Sequence, residues 1–296
     1  YDAQGASTSV VGALNKVQNH LSRMIDLGQV QGLMLSTHLS SRQFNDALTG
    51  LAELPLLNKT PYVLVTSQPV ETVMTHQTPQ QQLPTLYYHT VFNCDTCYPA
   101  VWKIRLWQVL DRLNTPGIDL VLPQTGISSE GYRLSQVALY RKTRYITTLS
   151  PNQTRTLAFL EGVAANETLP LPHHHGTLYG IHGSRTLSVS VSAPHTITAT
   201  VHLNLKGSWI SSAEYDPSNA QIAAIAHNAS QRILSQSLAL LQKTRTLDVD
   251  PLGIGRQLSW TDPQAFQQMR PWHRQYPHVH FVVDCHFTVQ KLGSYA

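Results

Sequence analysis

The chain has 296 residues, enough for two or three compact domains with cores of their own. Hydrophobic residues make up 42%, which excludes a disordered chain, while charged residues are only 13%, about half the usual quarter. The 21 basic and 17 acidic side chains leave a net charge of +4 without any Lys/Arg run, so nucleic-acid binding is not indicated, and no apolar run reaches the roughly 20 residues of a membrane-spanning helix.

The opening Tyr1-Asp2-Ala3-Gln4 carries no signal peptide and reads as the start of a truncated soluble ectodomain. Ser7 or Thr8 can cap a helix bearing Val10, Val11, Leu14, Val17, Leu21 and Met24, which Gly28 would end. Val30 to Ser36 is a short strand, Ser40 caps a second helix with Phe44, Ala47, Leu48 and Leu51, and Tyr62 to Thr66 is a second strand. This alternation predicts a βαβ-like layer. Thr78-Pro79 to Gln82 is linker-like. Val101, Ile104, Leu106, Trp107, Leu110 and Leu113 suit a buried helix, and Ile118 to Leu122 reads as an edge-like strand before Pro123. A hairpin over Val137 to Tyr145 follows. Pro170 to Gly176, holding His173, His174 and His175, is a loop and a domain boundary.

Beyond it, Leu187, Val189 and Val191 alternate with serines, and Ile197, Ala199, Val201, Leu203 and Leu205 alternate with polar residues after a turn at Ala193-Pro194. That is a hairpin with one apolar face. Asp216-Pro217 reads as the N-cap and first position of a long helix whose stripe is Ile222, Ile225, Ala226, Ala229, Ile233, Ser237 and Leu240. A last strand alternates Val279, Phe281, Val283, Cys285, Phe287 and Val289 with His278, His280, Val282, Asp284, His286 and Thr288. The expected fold is therefore α+β and multi-domain, each domain a mixed or antiparallel sheet packed with helices. The C-terminal antiparallel sheet would be covered by the one long helix. The expected division is 1–125, an N-terminal α/β-type domain; 126–175, a small middle domain; and 176–296, a C-terminal α+β domain.

Chemistry-bearing residues are few. Cys94-Asp-Thr-Cys97 has the spacing of a thioredoxin-like redox pair, but Pro99 delays the following helix and withholds its N-terminal field, which favours a local disulfide or inert pair. The three consecutive histidines could join these cysteines in a Cys₂His₂ set, yet they cannot all face one ion, and a solvated loop is the simpler reading. His278, His280 and His286 share a strand face with Asp284, where they could chelate, sense pH or simply stay wet. Gly253-Ile-Gly255 lacks a dinucleotide fingerprint and follows a helix, so the glycines serve a tight turn. Trp272, Tyr276 and Pro277 would plug the resulting corner, or else present an aromatic patch to a partner. No Gly-x-Ser-x-Gly, His-Glu-x-x-His or P-loop occurs. No catalytic residue, cofactor or metal is assigned, and the chain reads as a non-enzyme.

A long helix followed by Asp248-Val-Asp-Pro-Leu-Gly-Ile-Gly-Arg-Gln-Leu258, then Pro271-Trp272, Tyr276-Pro277 and an alternating strand ending at Gly293, resembles the C-terminal domain of the Ger(x)C lipoprotein family, the spore germinant-receptor C subunits. Ala6 to Leu14, Pro61 to Val65, Val137 to Tyr145 and Pro151 to Leu160 extend the resemblance over nearly the whole chain, although acidic and glycine positions of the last segment are replaced. The resemblance implies a non-enzymatic subunit that acts with integral-membrane A and B subunits. It also implies anchoring on the outer face of the spore inner membrane by a lipid outside this chain. Gly253, Gly255, Arg256, Trp272, Tyr276 and Pro277 become a partner-contact or structural signature. The alternatives are a thiol-disulfide oxidoreductase using Cys94 and Cys97, and a small-molecule (nutrient) binding module.

Overall fold

A computed structural model describes residues 4–77, 84–94, 101–171, 176–192, 196–211 and 218–290. Its first half runs α1 (Val10–Gln18), β1 (Gly32–Ser36), α2 (Ser41–Glu53), β2 (Tyr62–Thr66), α3 (Val70–Thr75), α4 (Pro84–Asn93), α5 (Leu106–Asn114), β3 (Leu120–Ser128), β4 (Gly131–Arg141) and β5 (Arg144–Thr148). The five strands lie side by side in sequence order, the first three parallel and the last two antiparallel. Period-two alternation explains why both faces are covered: Val63 and Val65 of β2 enter one hydrophobic cluster with α2 and α5, while Leu64 enters another with Val73, Tyr88, Val91 and Phe92 of α3 and α4.

Several expectations shift in this half. Helix α1 ends at Gln18, because the Gln18 amide accepts the Ile25 N–H (2.8 Å) and donates to the Arg23 carbonyl (2.9 Å), folding the chain off the helical path. Leu21 and Met24 thus leave the stripe, and Met24 is exposed. Val101 and Ile104 precede α5, and Trp107 points outward. The strand carrying Pro123 lies in the middle of the sheet, not at its edge: pairing with β2 begins only at Gln124, past the residue that lacks an N–H. Residue 125 falls within that strand.

The second half runs α6 (Pro151–Glu161), β6 (Glu167–Leu171), β7 (Gly176–Ser192), β8 (Thr196–Ser211), α7 (Asn219–Thr246), α8 (Ile254–Thr261), α9 (Pro263–Gln268), α10 (Trp272–Gln275) and β9 (His280–Gln290). The 28 residues of α7 span about 42 Å at 1.5 Å per residue. Its start is Ser218, whose Oγ accepts the Gln221 N–H while Gln221 Oε1 accepts the Ser218 N–H. This capping box replaces the expected start at Asp216-Pro217, which lies outside the described residues. Ile225, Ala229, Ile233, Ser237 and Leu240 are buried as the spacing predicts.

The second sheet, ordered β6-β7-β8-β9, is mixed and not antiparallel: β9 pairs parallel to β8 over Thr198↔His280 to Ser208↔Gln290. The helical passage from α7 to α10 returns the chain to the end where β8 began, as a parallel neighbour requires. His278 sits in a 3₁₀ turn ahead of β9, so it does not join His280 and His286 on the strand. One continuous core links the two sheets through α6, from Phe44 and Val65 to Val201, Ile233 and Phe287.

Candidate functional site

The Asp248–Gly255 segment leaves α7 through two left-handed residues, Asp248 (φ 53°) and Gly253 (φ 71°), and so doubles back to start α8. This turn sets the fully enclosed Asp250 beneath the α8 N-terminus. Asp250 Oδ1 accepts the Ile254 N–H at 3.0 Å, and Oδ2 accepts the Gly255 N–H at 3.0 Å and the Trp272 Nε1–H at 2.9 Å. The carboxylate caps the helix and fixes the indole at once.

Asp119, just ahead of β3, meets it through one backbone–backbone and one backbone–side-chain hydrogen bond. The Asp119 N–H donates to the Asp250 carbonyl and the Asp250 N–H donates to Asp119 Oδ2, both at 2.8 Å, while Asp119 Oδ1 accepts the Lys142 N–H at 3.2 Å. Beside them Gly117 (φ 76°) accepts the Arg256 N–H at 2.7 Å. A Cβ on Gly117 would lie 2.3 Å from the Gly255 carbonyl carbon, and one on Gly255 would lie 2.5 Å from the Trp272 ring. Two glycines pressed together let the N-terminal and C-terminal halves touch through their backbones.

Charges tie the same junction. Arg112 of α5 donates to the Asp119 carbonyl (3.1 Å), to the Pro251 carbonyl (3.0 Å) and to Glu161 Oε1 (2.8 Å), and Glu161 Oε2 pairs with Arg185 of β7 at 3.2 Å. Arg141 pairs with Asp248 at 3.1 Å, and the His273 ring lies 3.5 Å from Asp248 and 3.6 Å from Asp119. Burial, with help from the Asp248 charge, pushes the Asp119 carboxyl from 3.8 up to about 7. Burial likewise raises Asp250, against its three donors and with the Asp119 charge. Tyr276 is enclosed, shares a 2.9 Å hydrogen bond with Thr244 Oγ1, and is held well above the usual tyrosine range by burial. Enclosed, and with N–H donors on both oxygens, the Asp250 carboxyl anchors chain segments to one another.

Of the residues singled out in the sequence, Gly253, Gly255, Trp272 and Tyr276 meet here, all buried, and Pro277 lies in the adjoining 3₁₀ turn. Burial removes Trp272 and Tyr276 from any surface patch. Arg256 stays partly exposed, its guanidinium 5.0 Å from the ring of Trp260, which is 65% exposed. Sequence reasoning passed over Trp260, Asp119 and Arg112. Trp260 carried a signal, a tryptophan on the polar side of a short amphipathic helix. Asp119 carried none, since its partner stands 131 positions away.

Cys94 is disulfide-bonded, and Cys97 lies outside the described residues. Cys285 is a free thiol that burial pushes up to about 12, far from a reactive thiolate. The polar face of β9 is exposed, with His202 Nδ1 3.4 Å from Asp284 Oδ2. Among the described residues no three His, Cys, Asp or Glu side chains are placed to hold a metal, and no helix is long and apolar enough to cross a membrane. His173, His174 and His175 lie outside the described residues.

This two-sheet arrangement is similar to the crystal structure of the GerBC protein, with a TM-score of 0.68 over 88% of this chain and 78% of that one at 12% identity. Residues 3–127 match the spore germination protein N-terminal domain, and residues 135–293 match the C-terminal model described as spore germination B3/GerAC like. No curated protein matches the chain. The chain belongs to the spore germination B3/GerAC-like family, that of the germinant-receptor C subunits.

Proposed function

We propose that this chain is the non-enzymatic C subunit of a nutrient germinant receptor, working by protein contacts with integral-membrane A and B subunits. It is held on the outer face of the spore inner membrane by a lipid upstream of this sequence, and the contacts reinforce an attachment that a single lipid leaves marginal. The observation that carries the reading is the serial match of both halves to spore germination domains. A junction locked by Asp119, Asp250 and the Arg112–Glu161–Arg185 chain suits such a role, because it holds two outer surfaces in fixed relation.

Gly253, Gly255, Trp272, Tyr276 and Pro277 form the structural signature of that junction. Arg256 with Trp260 forms the contact face, since Arg and Trp dominate binding energy at interfaces. The test is germination of spores lacking the gene, scored nutrient by nutrient, with a full-length lipid-bearing copy supplied either intact or as the Arg256→Ala/Trp260→Ala double variant. The intact copy restores a lost response, and the double variant, present at normal level, does not. Full rescue by the double variant moves the contact elsewhere, and unchanged germination without the gene for every nutrient counts against the receptor role.

A further inference from the structure

The α3–α4 side of the first sheet is filled unevenly. Beside Leu64, Val73, Tyr88 and Phe92 the packing closes, but toward the edge strand β1 it leaves a cavity of about 630 Å³. That volume lies within the roughly 300–1,000 Å³ of small-molecule sites. Its floor is Gly32, whose missing side chain opens the space: a Cβ there would meet nothing nearer than the Tyr62 carbonyl at 3.9 Å and Leu64 Cδ2 at 4.0 Å. A glycine at the start of a strand, under an open cavity, is the arrangement that admits a ligand close to the backbone.

The walls are of two kinds. Tyr62 and Phe92 stack at 4.6 Å and form an aromatic wall, and Met34 and Met74 supply flexible apolar surface that adapts to shape. Tyr62 is fixed in place, its hydroxyl donating to the Phe92 carbonyl (3.2 Å) and accepting from Arg105 Nη2 (2.9 Å). A smaller polar recess of about 170 Å³ shares Tyr62, His89 and Asn93 with the cavity and ends at Arg105. The Arg105 guanidinium lies 4.3 Å over the Tyr62 ring, oriented by a 2.7 Å bond to the Thr60 carbonyl. Among the described residues no carboxylate lies within ion-pairing distance of it. A cation braced by neutral groups, at the end of a polar recess opening from an aromatic chamber, matches one ligand chemistry: an apolar or aromatic body carrying a carboxylate.

We propose that this cavity is a binding site for small amphipathic carboxylates, with the apolar body over Gly32 between Tyr62, Phe92 and the methionines, and the carboxylate on Arg105. The site is separate from the Asp119–Asp250 junction and from the Arg256–Trp260 face. The probes are 3-phenylpropanoate and its neutral counterpart 3-phenylpropan-1-ol, titrated by NMR into the whole chain and into Gly32→Leu and Arg105→Gln. Each variant is first checked for an unchanged melting transition.

The acid binds saturably, with Kd at or below about 1 mM and about tenfold tighter than the alcohol. Arg105→Gln removes the difference between acid and alcohol, and Gly32→Leu, whose Cβ meets nothing nearer than 3.9 Å and whose branched end enters the cavity, abolishes binding of both. Absence of saturable binding by the acid overturns the proposal, as does acid binding that survives Gly32→Leu. Equal affinities for acid and alcohol in the unaltered chain overturn the carboxylate assignment. Should Gly32→Leu fail the folding check, Gly32→Val, with its smaller side chain, carries the same expectation.

Discussion

At Gly117 a Cβ would lie 2.3 Å from the Gly255 carbonyl carbon, whereas at Gly32 it would meet nothing within 3.9 Å. Both glycines serve the first sheet, one at the junction with the second half and one at the far edge strand, and their reasons for being glycine are opposite. At the junction the missing side chain allows backbone to meet backbone, with Asp119 and Asp250 exchanging hydrogen bonds around the contact. At the edge it leaves room that no residue of the described chain fills. The difference teaches that a glycine in a strand-rich fold marks either a place where space has run out or a place where it has been kept, and only its neighbours tell which.

Substituting at the two positions is the sharpest way to break this comparison. Gly117→Ala forces a side chain into backbone at φ 76° and is expected to destabilise the fold by at least about 3 kcal/mol, read as a lower urea midpoint. A wild-type midpoint would mean that the halves are not in backbone contact.

A second effect, spread over a pH range, is expected at Asp119. The folded carboxyl of Asp119 is raised to about 7 from 3.8, so between those values the folded state holds a proton that the unfolded chain has lost. Its stabilising share is fully present below about pH 4 and is lost as pH rises through about 7, at up to about 1.4 kcal/mol per pH unit. Urea midpoints measured across this window fall with rising pH, and Asp119→Asn flattens the slope. A midpoint that rises over the window contradicts the assignment.

The smallest effect belongs to Gly32→Ala, which trims unfolded-state freedom without crowding a neighbour and is expected to stabilise by about 0.5 kcal/mol. A thermal melt checks it, and marked destabilisation would show the cavity floor to be closed.

Much of this was legible beforehand where the signal was local. Tyr62–Thr66, the capped helix at Ser40 and the buried stripe of α7 all follow from spacing and caps within a few residues. Expectations slipped where a non-local partner decided. The direction of β9 depended on how α8 to α10 returned the chain, and Pro123 reached the sheet interior because β2 pairs only beyond it. In the candidate site, Gly253, Gly255, Trp272 and Tyr276 stood out by residue type, yet whether they faced water or core lay outside their own segment.

The sequence by itself determined the periodicities, the caps and the order of motifs, and with them the α+β class and the family resemblance, because each is a relation among residues close along the chain. The tertiary structure alone decided that Asp119 meets Asp250, that Glu161 is shared by Arg112 and Arg185, and that Arg105 ends a recess beside an open aromatic cavity. Those are relations of burial and charge between segments far apart along the chain. Their physical content, desolvation and close contact, exists only once the sheets have packed.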